Sequence, residues 1–438
     1  MDSYTEYYLF PYQRASRTQK CRNRTKHDTR AYFKTMRILQ LLKFPLWGSG
    51  SGTYARNLSE TLAENEKHQV AIVAPDKRKP KKVKLYTVKL PFFAAFTGHP
   101  EHKKCKLYHE LSADELTQIY DAFFQTAINA VKEFKPDIIH VHHASFLTWI
   151  AKYIKNVHHI NFIVTAHGTG LHNTALNRQM FEKQTTEALL AAKRVTAVSG
   201  DTRKWVHDLH GRDFARNMRT IPGGILAKTF AAQRDIKIIN KKYNLKNKKI
   251  VLFSGKLTPL KGVSYLIKAA KDINGEVIII GGGSEEESLK KLAKKHDIKN
   301  IRFLGYIGKN RRQELLEFYY RADVFVAPSV WDEPLGLVIL EAMACSTPVV
   351  VTRKGGIPLA VKDRVNGLFV KARNSTDIAE KVNNLLHNEN LRTRLGNNAR
   401  KTVLEKFTWK KIATKFLRIY RASHNGTNSG NGNKKHKH

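Results

Sequence analysis

The sequence predicts an α/β protein in which two Rossmann-like, doubly wound domains face each other across a cleft. Short continuous apolar runs alternate with amphipathic helical stretches, and this alternation occurs twice along the chain. Continuous apolar runs of strand length are typical of parallel strands that are covered on both faces. With 438 residues, the chain is also long enough for two domains, each with its own core.

The strands follow from the apolar runs, beginning with MRILQLL at Met36. In the first series we predict strands at 37–42, 70–74, 138–142, 162–165 and 194–198. In the second series we predict strands at 250–254, 277–280, 301–304, 324–327 and 348–351. Each series opens with a strand, a glycine-bearing loop and a helix, and ligands of doubly wound sheets bind at such loops.

Changes in composition give the domain boundaries. The first residues lack periodicity, the stretch after Phe230 is charged and weakly apolar, and the last residues are rich in Gly and Asn. The predicted parts are a basic disordered extension (1–35), an N-terminal domain (36–232), a C-terminal domain (233–408), a connector helix (409–423) and a disordered tail (424–438).

The chain is strongly basic, with 77 Lys and Arg against 37 Asp and Glu and a formal net charge of +40. The excess is spread over the whole chain, which weakens the case for a dedicated nucleic-acid patch. No zinc-finger, RNP or helix-turn-helix signature is evident, so nucleic acid is an unlikely partner. A basic nucleic-acid-binding protein remains the alternative class at this point.

Cysteine usage and hydropathy predict a cytoplasmic location. Cys21, Cys105 and Cys345 are too far apart in sequence for a disulfide framework. No apolar run approaches the ~18 residues of a membrane span. The N-terminus has acidic residues and lacks an apolar core of signal-peptide type.

The segment VWDEPLGLVILEAMACSTP carries the most informative pattern. Pro334 suits the first position of a helix, so Glu333 would precede the helix. Glu341 would then lie about 12 Å further along, at about 1.5 Å per residue. This is too far for the paired carboxylates of a glycosidase, which lie ~5–9.5 Å apart. The two carboxylates could instead bind two hydroxyl-bearing ends of one elongated ligand.

Between the two glutamates, backbone amides are expected to bind a phosphate. The amides of Leu335, Gly336 and Leu337 would form a helix N-terminus, which favours anions. The alternative for the whole segment is a capped helix with one surface glutamate and one salt-bridged glutamate.

This segment resembles the retaining, nucleotide-sugar-dependent glycosyltransferases of family 4, which have the GT-B fold. Their signature is two glutamates separated by seven residues, here Glu333 and Glu341 in EPLGLVILEAMA. The resemblance extends over residues 36–423, with further motifs in the family's order. It implies that Glu333 hydrogen-bonds the transferred sugar and that Glu341 holds the ribose hydroxyls of the nucleotide.

The resemblance also assigns two lysines to the diphosphate. The family pairs a basic residue after glycine with a Lys-Gly shortly downstream, here Gly255-Lys256 and Lys261-Gly262. Cations at these positions suit a leaving group whose negative charge grows as the glycosidic bond breaks. The family more often has arginine at position 256, and lysine lacks bidentate geometry, so donor affinity is expected to be somewhat lower. The alternative is a pair of solvated surface lysines.

Three further loops carry residues that the resemblance assigns to the donor. Gly48, Gly50 and Gly52 lie in GSGSG after the first strand, where the alternative is a plain connector. Gly283 ends the loop that the family places beside the base. Tyr306 lies in the segment whose backbone reads the base edge.

Histidines and one serine complete the candidate residues. His167, in the strand-end motif TAHGT, matches the family's active-site His-Gly segment and would contact the transferred sugar or its acceptor. His140, His142 and His143 could bind Zn or line a pocket, or lie together by chance among 19 histidines. Ser199 is expected to cap a helix rather than to act as a nucleophile.

The resemblance implies transfer of a sugar from a nucleoside-diphosphate sugar to an acceptor hydroxyl, with retention of configuration. It places the acceptor in the N-terminal domain and the nucleotide sugar in the C-terminal domain. It implies no cofactor and no divalent cation, the lysines and the amides taking the place of the metal. A GT-B nucleotide-sugar epimerase is the alternative enzyme.

A basic run at residues 75–90, PDKRKPKKVKLYTVKL, precedes the apolar segment LPFFAAF. Cations beside aromatic residues are typical of segments that bind an anionic membrane surface. A lipid-linked acceptor and a peripheral location on the inner face of the membrane would follow. The alternatives are a solvated loop and a sugar acceptor that is not lipid-linked.

Overall fold

The computed structural model of the protein describes residues 35–64, 68–95, 105–211, 218–230, 235–308 and 311–424. The predicted N-terminal extension and C-terminal tail therefore lie outside the described residues, apart from residues 35 and 424. Within the described part, no helix is both long enough and apolar enough to cross a membrane.

The first half of the chain forms a seven-stranded parallel sheet with the strand order β3-β2-β1-β6-β7-β8-β9. Apolar runs rich in Ile, Val and Leu form its central strands, which are buried on both faces. A separate two-stranded pair, β4 and β5, follows β3 in the chain. The strands are β1 (Met36–Leu42), β2 (His68–Ala74), β3 (Lys84–Thr87), β4 (Ala94–Ala95), β5 (Lys106–Leu107), β6 (Ile138–His142), β7 (Phe162–Ala166), β8 (Arg194–Ala197) and β9 (Arg219–Thr220).

Helices cover both faces of this sheet and connect its parallel strands. The longest of them begins at a complete capping box, in which Ser112 and Glu115 satisfy each other's backbone amides. The helices are α1 (Gly50–Glu64), α2 (Ala113–Phe134), α3 (Phe146–His158), α4 (Gly168–Leu176), α5 (Arg178–Ala191) and α6 (Gly200–His210).

The second half forms a six-stranded parallel sheet with the order β12-β11-β10-β13-β14-β15. Its strands are β10 (Ile250–Ser254), β11 (Glu276–Ile280), β12 (Ile301–Phe303), β13 (Val324–Ala327), β14 (Val349–Thr352) and β15 (Leu368–Val370). Its helices are α7 (Lys237–Lys242), α8 (Val263–Ala270), α9 (Glu286–Lys295), α10 (Arg312–Arg321), α11 (Leu337–Ala344), α12 (Ser375–His387) and α13 (Glu389–Lys406). The predicted pair of doubly wound sheets is confirmed, and all ten predicted strands are present.

The last helix, α14 (Trp409–His424), returns from the second sheet to the first. Its buried residues Trp409 and Phe416 share a core with Ile38 of β1 and Leu58 of α1. Because one face of α14 is apolar at helical spacing, the helix closes the layer of α1 over the first sheet. α14 thereby belongs structurally to the first domain, although it follows the second in sequence.

The basic run at 75–90 contains the edge strand β3 and the turn that leads into it. Lys77, Lys79 and Lys81 are exposed. Arg78 is different, because it pairs with Asp76 at 3.3 Å and lies over the Trp47 ring at 4.5 Å. The neighbouring apolar segment is not fully available to a membrane, since its Leu90 and Phe92 are partly buried against the hydrophobic core of the first domain. Phe96 of that segment lies outside the described residues.

Candidate active site

A cavity of about 500 Å³ lies where the carboxyl ends of the two parallel sheets meet. The loops after β1 and β7 line one side, and the loops after β10, β11 and β13 line the other. This is the position in which doubly wound sheets bind ligands. The predicted site residues that line it are Gly48, Gly50, His167, Gly255, Lys256, Lys261, Tyr306, Glu333, Leu335, Gly336, Leu337 and Glu341.

Two of the predicted donor-binding glycines do not line the cavity. A Cβ on Gly52 would lie 2.1 Å from the Pro45 carbonyl oxygen, and one on Gly283 would lie 2.3 Å from that of Leu257. Both glycines therefore allow neighbouring backbone segments to pack, and neither is among the residues that line the cavity. The spacing of glycines in the sequence does not distinguish these two roles.

Glu333 lies in the loop after β13 and is held by two donors. The residue is 6% exposed. The Ser329 hydroxyl donates to Glu333 Oε1 at 2.9 Å, and Lys261 Nζ forms an ion pair with the same oxygen. These contacts fix one carboxylate oxygen of Glu333, which lines the cavity. The carboxylate is thus buried, paired and oriented.

The helix that carries Glu341 begins one turn later than predicted. It starts at Leu337, not at Pro334, because Gly336 adopts the left-handed conformation with φ of 73°. Gly336 is therefore the N-cap of α11, and Glu341 is the fifth residue of the helix. The amide of Leu337 still begins a helix at the cavity, as the anion site requires.

Glu341 is paired with an arginine that the motifs did not indicate. Arg312, at the start of α10, donates from Nη2 to Glu341 Oε1 at 2.8 Å. The attraction of Glu341 raises the pKa of Arg312 above its usual value. In sequence, Arg312 is one of many basic residues, and its partner lies 29 positions away. Only the packing of α10 against α11 brings the pair together.

Lys256 lies in the loop after β10 with its side chain half-buried. Burial lowers its pKa to about 8, and repulsion from Lys261 acts in the same direction. The two ammonium groups therefore share one part of the cavity. A dianionic group between them would offset the cost of burying the Lys256 charge and would reduce the repulsion between the two ammonium groups.

His167 follows β7 and faces the second sheet's loops from the opposite wall. It is 6% exposed, and its Nε2 lies 3.3 Å from His142 Nδ1. Burial lowers the pKa of His167 to about 3, so the imidazole is neutral at pH 7. The next residue, Gly168, has no Cβ, which allows Pro334 Cγ to come within 3.0 Å of the position that a Cβ would take. The loop of His167 therefore lies directly against the loop of Glu333.

The three neighbouring histidines do not line the cavity. The His140 ring bonds Tyr420 Oη and Thr165 Oγ1, both at 2.7 Å, and His142 Nε2 bonds Gln40 Oε1 at 2.7 Å. Among the described residues, no cluster of three or more His, Cys, Asp or Glu is arranged to hold a metal ion. These histidines are core residues, and the pocket-lining alternative is wrong for them.

The prediction for Ser199 is confirmed. It is the N-cap of α6, and its hydroxyl accepts the backbone N–H of Thr202 at 3.1 Å. The capped amide would otherwise remain unpaired at the helix end.

Aromatic residues from both sheets enclose the far end of the cavity. The ring of Trp331, which lines the cavity, lies 4.9 Å from His172 and 5.6 Å from Trp205. On the opposite wall, Arg56 lies over the Trp47 ring at 4.9 Å. Burial lowers the pKa of Arg56 to about 10. None of these residues belongs to a recognisable motif, so the sequence did not reveal them.

Comparison with known proteins decides the family. The model of glycosyltransferase family 4 matches residues 48–227, and the model of glycosyl transferases group 1 matches residues 235–402. The protein belongs to the family 4 glycosyltransferases. This assignment makes it an enzyme and decides against the nucleic-acid-binding alternative.

Two relatives of this glycosyltransferase come from Methanocaldococcus jannaschii. The uncharacterized glycosyltransferase MJ1178 is 31% identical over 287 residues, 65% of this chain and 75% of the relative. The uncharacterized glycosyltransferase MJ1607 is 38% identical over 180 residues, which is 40% of this chain and 45% of that relative. The match to MJ1607 thus spans less than half of either protein.

Solved structures confirm the GT-B fold of this glycosyltransferase. Sucrose-phosphate synthase from Thermosynechococcus elongatus has a TM-score of 0.72 at 21% identity, covering 90% of this chain and all of that chain. Anabaena Alr3699/HepE in complex with UDP and glucose has a TM-score of 0.69 at 18% identity, covering 88% of this chain and all of that chain. At these identities the likeness establishes the fold alone.

Proposed function

We propose that this glycosyltransferase transfers a sugar from a nucleoside-diphosphate sugar to an acceptor hydroxyl, with retention of configuration and without a divalent cation. The observation that carries the proposal is the set of charged and polar side chains that line one cavity. Lys256, Lys261 and Glu333 from loops of the second domain, with Glu341 from α11, lie opposite the neutral His167 of the first domain. The structures of Anabaena HepE with UDP and with UDP-glucose support a nucleotide sugar as the donor.

In this proposal the diphosphate lies between the lysines and the start of α11. Lys256 and Lys261 supply positive charge, and the amide of Leu337 supplies a hydrogen-bond donor at a helix N-terminus. Charge builds on the leaving diphosphate as the glycosidic bond breaks, so fixed cations stabilise the transition state more than the ground state. This arrangement performs the task that a divalent cation performs in other transferases.

The two glutamates bind the other two parts of the donor, the ribose and the transferred sugar. Glu341 accepts hydrogen bonds from the ribose hydroxyls. Arg312 donates to Oε1 of Glu341 and so orients the carboxylate. Glu333 accepts hydrogen bonds from the transferred sugar, and Lys261 and Ser329 hold it in place. Two carboxylates that are each fixed by a neighbour recognise hydroxyls without a cost for reorganisation.

Transfer proceeds on one face of the sugar. The acceptor oxygen forms a bond to the anomeric carbon as the bond from that carbon to the phosphate oxygen breaks. The electron pair of the broken bond remains on the phosphate, which takes the proton that the acceptor hydroxyl loses. His167, being neutral, donates or accepts a hydrogen bond to a hydroxyl of the transferred sugar without adding charge.

The acceptor reaches this site from the first domain, and it is a sugar or a lipid-linked compound. Exposed lysines in the run at 75–90 support association with an anionic membrane surface, because positive charge concentrates there. The half-buried position of Phe92 favours electrostatic attachment over insertion of aromatic side chains. Membrane association is therefore proposed as a salt-sensitive surface contact.

A screen of donors tests the proposal. The thermal transition of the full chain is measured in EDTA with UDP, GDP and ADP, and with sugars of each. A ligand that binds the folded state raises Tm by mass action, so one base should stand out. Release of the nucleoside diphosphate on addition of an acceptor then reports transfer, and NMR of the product reports the anomeric configuration. An epimerase would convert the nucleotide sugar without an acceptor, and this result would contradict the proposal.

A further inference from the structure

Lys43 is a buried lysine, and among the described residues no group accepts a hydrogen bond from its ammonium. It directly follows β1 and is 2% exposed. Its Nζ lies 4.3 Å from the centre of the Tyr108 ring and 5.1 Å from that of Phe44. Within the described part of the chain, no carboxylate, carbonyl or hydroxyl accepts a hydrogen bond from this ammonium. Burial lowers its pKa to about 7, which reflects the cost of a desolvated charge without a counter-ion.

Two hydroxyls of the same region are also unsatisfied. The hydroxyls of Tyr108 and Ser145 are buried and have no hydrogen-bond partner among the described residues. Ser145 is the N-cap of α3, yet its side chain makes no cap hydrogen bond. Buried polar groups in folded proteins are normally paired, so unpaired hydroxyls at one place are available to a bound water, ion or ligand.

The sheet explains why these groups lie together. β1 and β6 are neighbours, with Leu42 opposite His142, so Lys43 and His143 leave the sheet side by side. The Phe44 ring lies 5.1 Å from His143 and 5.9 Å from Tyr108. Ser145 follows two residues after His143. Lys43 and Tyr108 therefore lie together at the carboxyl end of the first sheet, and Ser145 begins the helix that follows β6, at the same end of the sheet. This is the end at which a ligand of the domain is expected.

We propose that Lys43, with the hydroxyls of Tyr108 and Ser145, binds a phosphate or carboxylate group of the acceptor. The inference rests on the proposed function, since it names the acceptor of the same site. Phe44, the next residue, lines the donor cavity, so an anion at Lys43 would place the rest of the acceptor toward the donor. All three groups are able to donate hydrogen bonds, and an anion supplies both acceptors and the missing negative charge. The acceptor is then a hydroxyl compound that bears phosphate or carboxylate.

Anion binding to the full chain tests this inference directly. The Tm is followed with inorganic phosphate and with malonate, at an ionic strength matched with sodium chloride. The titration is run with and without a saturating nucleoside diphosphate. When the nucleotide is bound, it occupies Lys256 and Lys261, so these lysines do not contribute to the rise in Tm. We expect a saturable rise in Tm for the wild type and for Lys132→Gln. The latter removes an exposed lysine of α2 and controls for the basic surface. Lys43→Gln should abolish the rise.

Two further variants keep the test valid if Lys43→Gln does not fold. Tyr108→Phe and Ser145→Ala retain Lys43 and remove only a hydroxyl, and each should weaken the anion effect. In turnover assays, Lys43→Gln should raise KM for phosphorylated or carboxylated acceptors about tenfold or more while leaving KM for the donor unchanged. A soluble sugar phosphate and vesicles that contain a phospholipid headgroup are compared as separate acceptors, which distinguishes the two sources of phosphate.

The outcomes separate this inference from the proposed function. If no nucleoside diphosphate raises Tm, the proposed function fails, and the titration without nucleotide still reports on Lys43. If nucleotide binds but phosphate and malonate have no effect, the inference is overturned. It is also overturned if Lys43→Gln and Lys132→Gln respond alike, or if neutral sugars are the preferred acceptors of the wild type.

Discussion

Lys261 and Glu333 form an ion pair although they are 72 positions apart in the chain. Lys261 follows β10 and Glu333 follows β13, and these two strands are neighbours in the second sheet. The lysine assigned to the diphosphate therefore also holds the carboxylate assigned to the sugar. In the proposed function, one connected pair of residues would therefore bind both the diphosphate and the sugar, and the roles of the two residues would be coupled.

This coupling predicts that mutations of Lys261 and Glu333 are not additive. Lys261→Ala removes a cation from the diphosphate site and leaves a buried carboxylate unpaired, so its effect should exceed that of Lys256→Ala. In the double variant Lys261→Ala/Glu333→Gln the carboxylate charge is gone, and the loss in kcat/KM should be smaller than the sum of the two single losses by about 1 kcal/mol or more. A double-mutant cycle measures this coupling energy between Lys261 and Glu333. Additive losses would contradict the coupling.

The lowered pKa of Lys256 predicts a pH dependence of donor binding. With a pKa of about 8, its ammonium is charged at pH 7 and becomes neutral as pH rises through 8. Affinity for the nucleoside diphosphate should therefore be higher at about pH 7 than at about pH 9.5, over which a free lysine stays mostly charged. Calorimetric titration at several pH values measures the effect. Lys256→Arg should remove most of the decline, because a guanidinium stays protonated, and an unchanged decline would assign it to another group.

The proposed cationic clamp predicts that activity survives chelation. In EDTA, turnover should equal that without EDTA, whereas Lys256→Ala and Lys261→Ala should each cost roughly 1.5–3 kcal/mol in transition-state stabilisation. Initial rates with and without EDTA, Mg²⁺ and Mn²⁺ provide the comparison. Loss of activity in EDTA that either metal restores would contradict the metal-free clamp.

The exposed lysines of the run at 75–90 predict binding to anionic vesicles that high salt abolishes. Arg78 is excluded from the test because Asp76 and Trp47 already engage it. Co-sedimentation should fall when Lys77, Lys79, Lys81 and Lys82 are changed to Gln. It should be retained when exposed lysines of the second domain are changed instead, namely Lys271, Lys291, Lys294 and Lys295. Equal loss in both variants would indicate non-specific attraction to a basic protein.

Most of the strands were predictable from the sequence, because strands buried on both faces of a parallel sheet consist of continuous apolar residues. β6 and β10 coincide with their predicted ranges. The prediction lacks β3, β4, β5, β9 and β15, because strands of two to four residues are too short to show a periodic pattern. The start of α11 was misplaced because a proline at 334 permits a helix, whereas the left-handed backbone of Gly336 delays it.

The site was predictable to the extent that its residues occur in ordered motifs. The cavity contains the residues of the two-glutamate, Gly-Lys and His-Gly motifs, although they come from loops of both domains. The partners of those residues were not predictable. Arg312 and Lys43 are ordinary basic residues in a chain of net charge +40, and their significance comes from a neighbour or from burial. Neither property is encoded locally in the sequence.

The proposed donor site depends on a division of roles between Glu333 and Glu341. In the proposed function, Glu333 in its loop binds the transferred sugar and Glu341 on α11 binds the ribose. Each carboxylate is held by a different cation, Lys261 or Arg312. Glu333→Gln keeps the shape of the side chain and removes its charge. Glu341→Ala removes the carboxylate from a helix position that alanine suits, so the fold should persist.

Calorimetric titration of the cognate nucleoside diphosphate into the wild type, Glu333→Gln and Glu341→Ala, together with turnover of the nucleotide sugar, tests this claim most directly. Glu333→Gln should lose turnover by about tenfold to about a hundredfold while its Kd for the nucleotide stays within about twofold of the wild-type value. Glu341→Ala should raise that Kd by about tenfold or more. If both variants lose nucleotide affinity to the same extent, or neither does, the assignment of sugar to Glu333 and ribose to Glu341 is wrong.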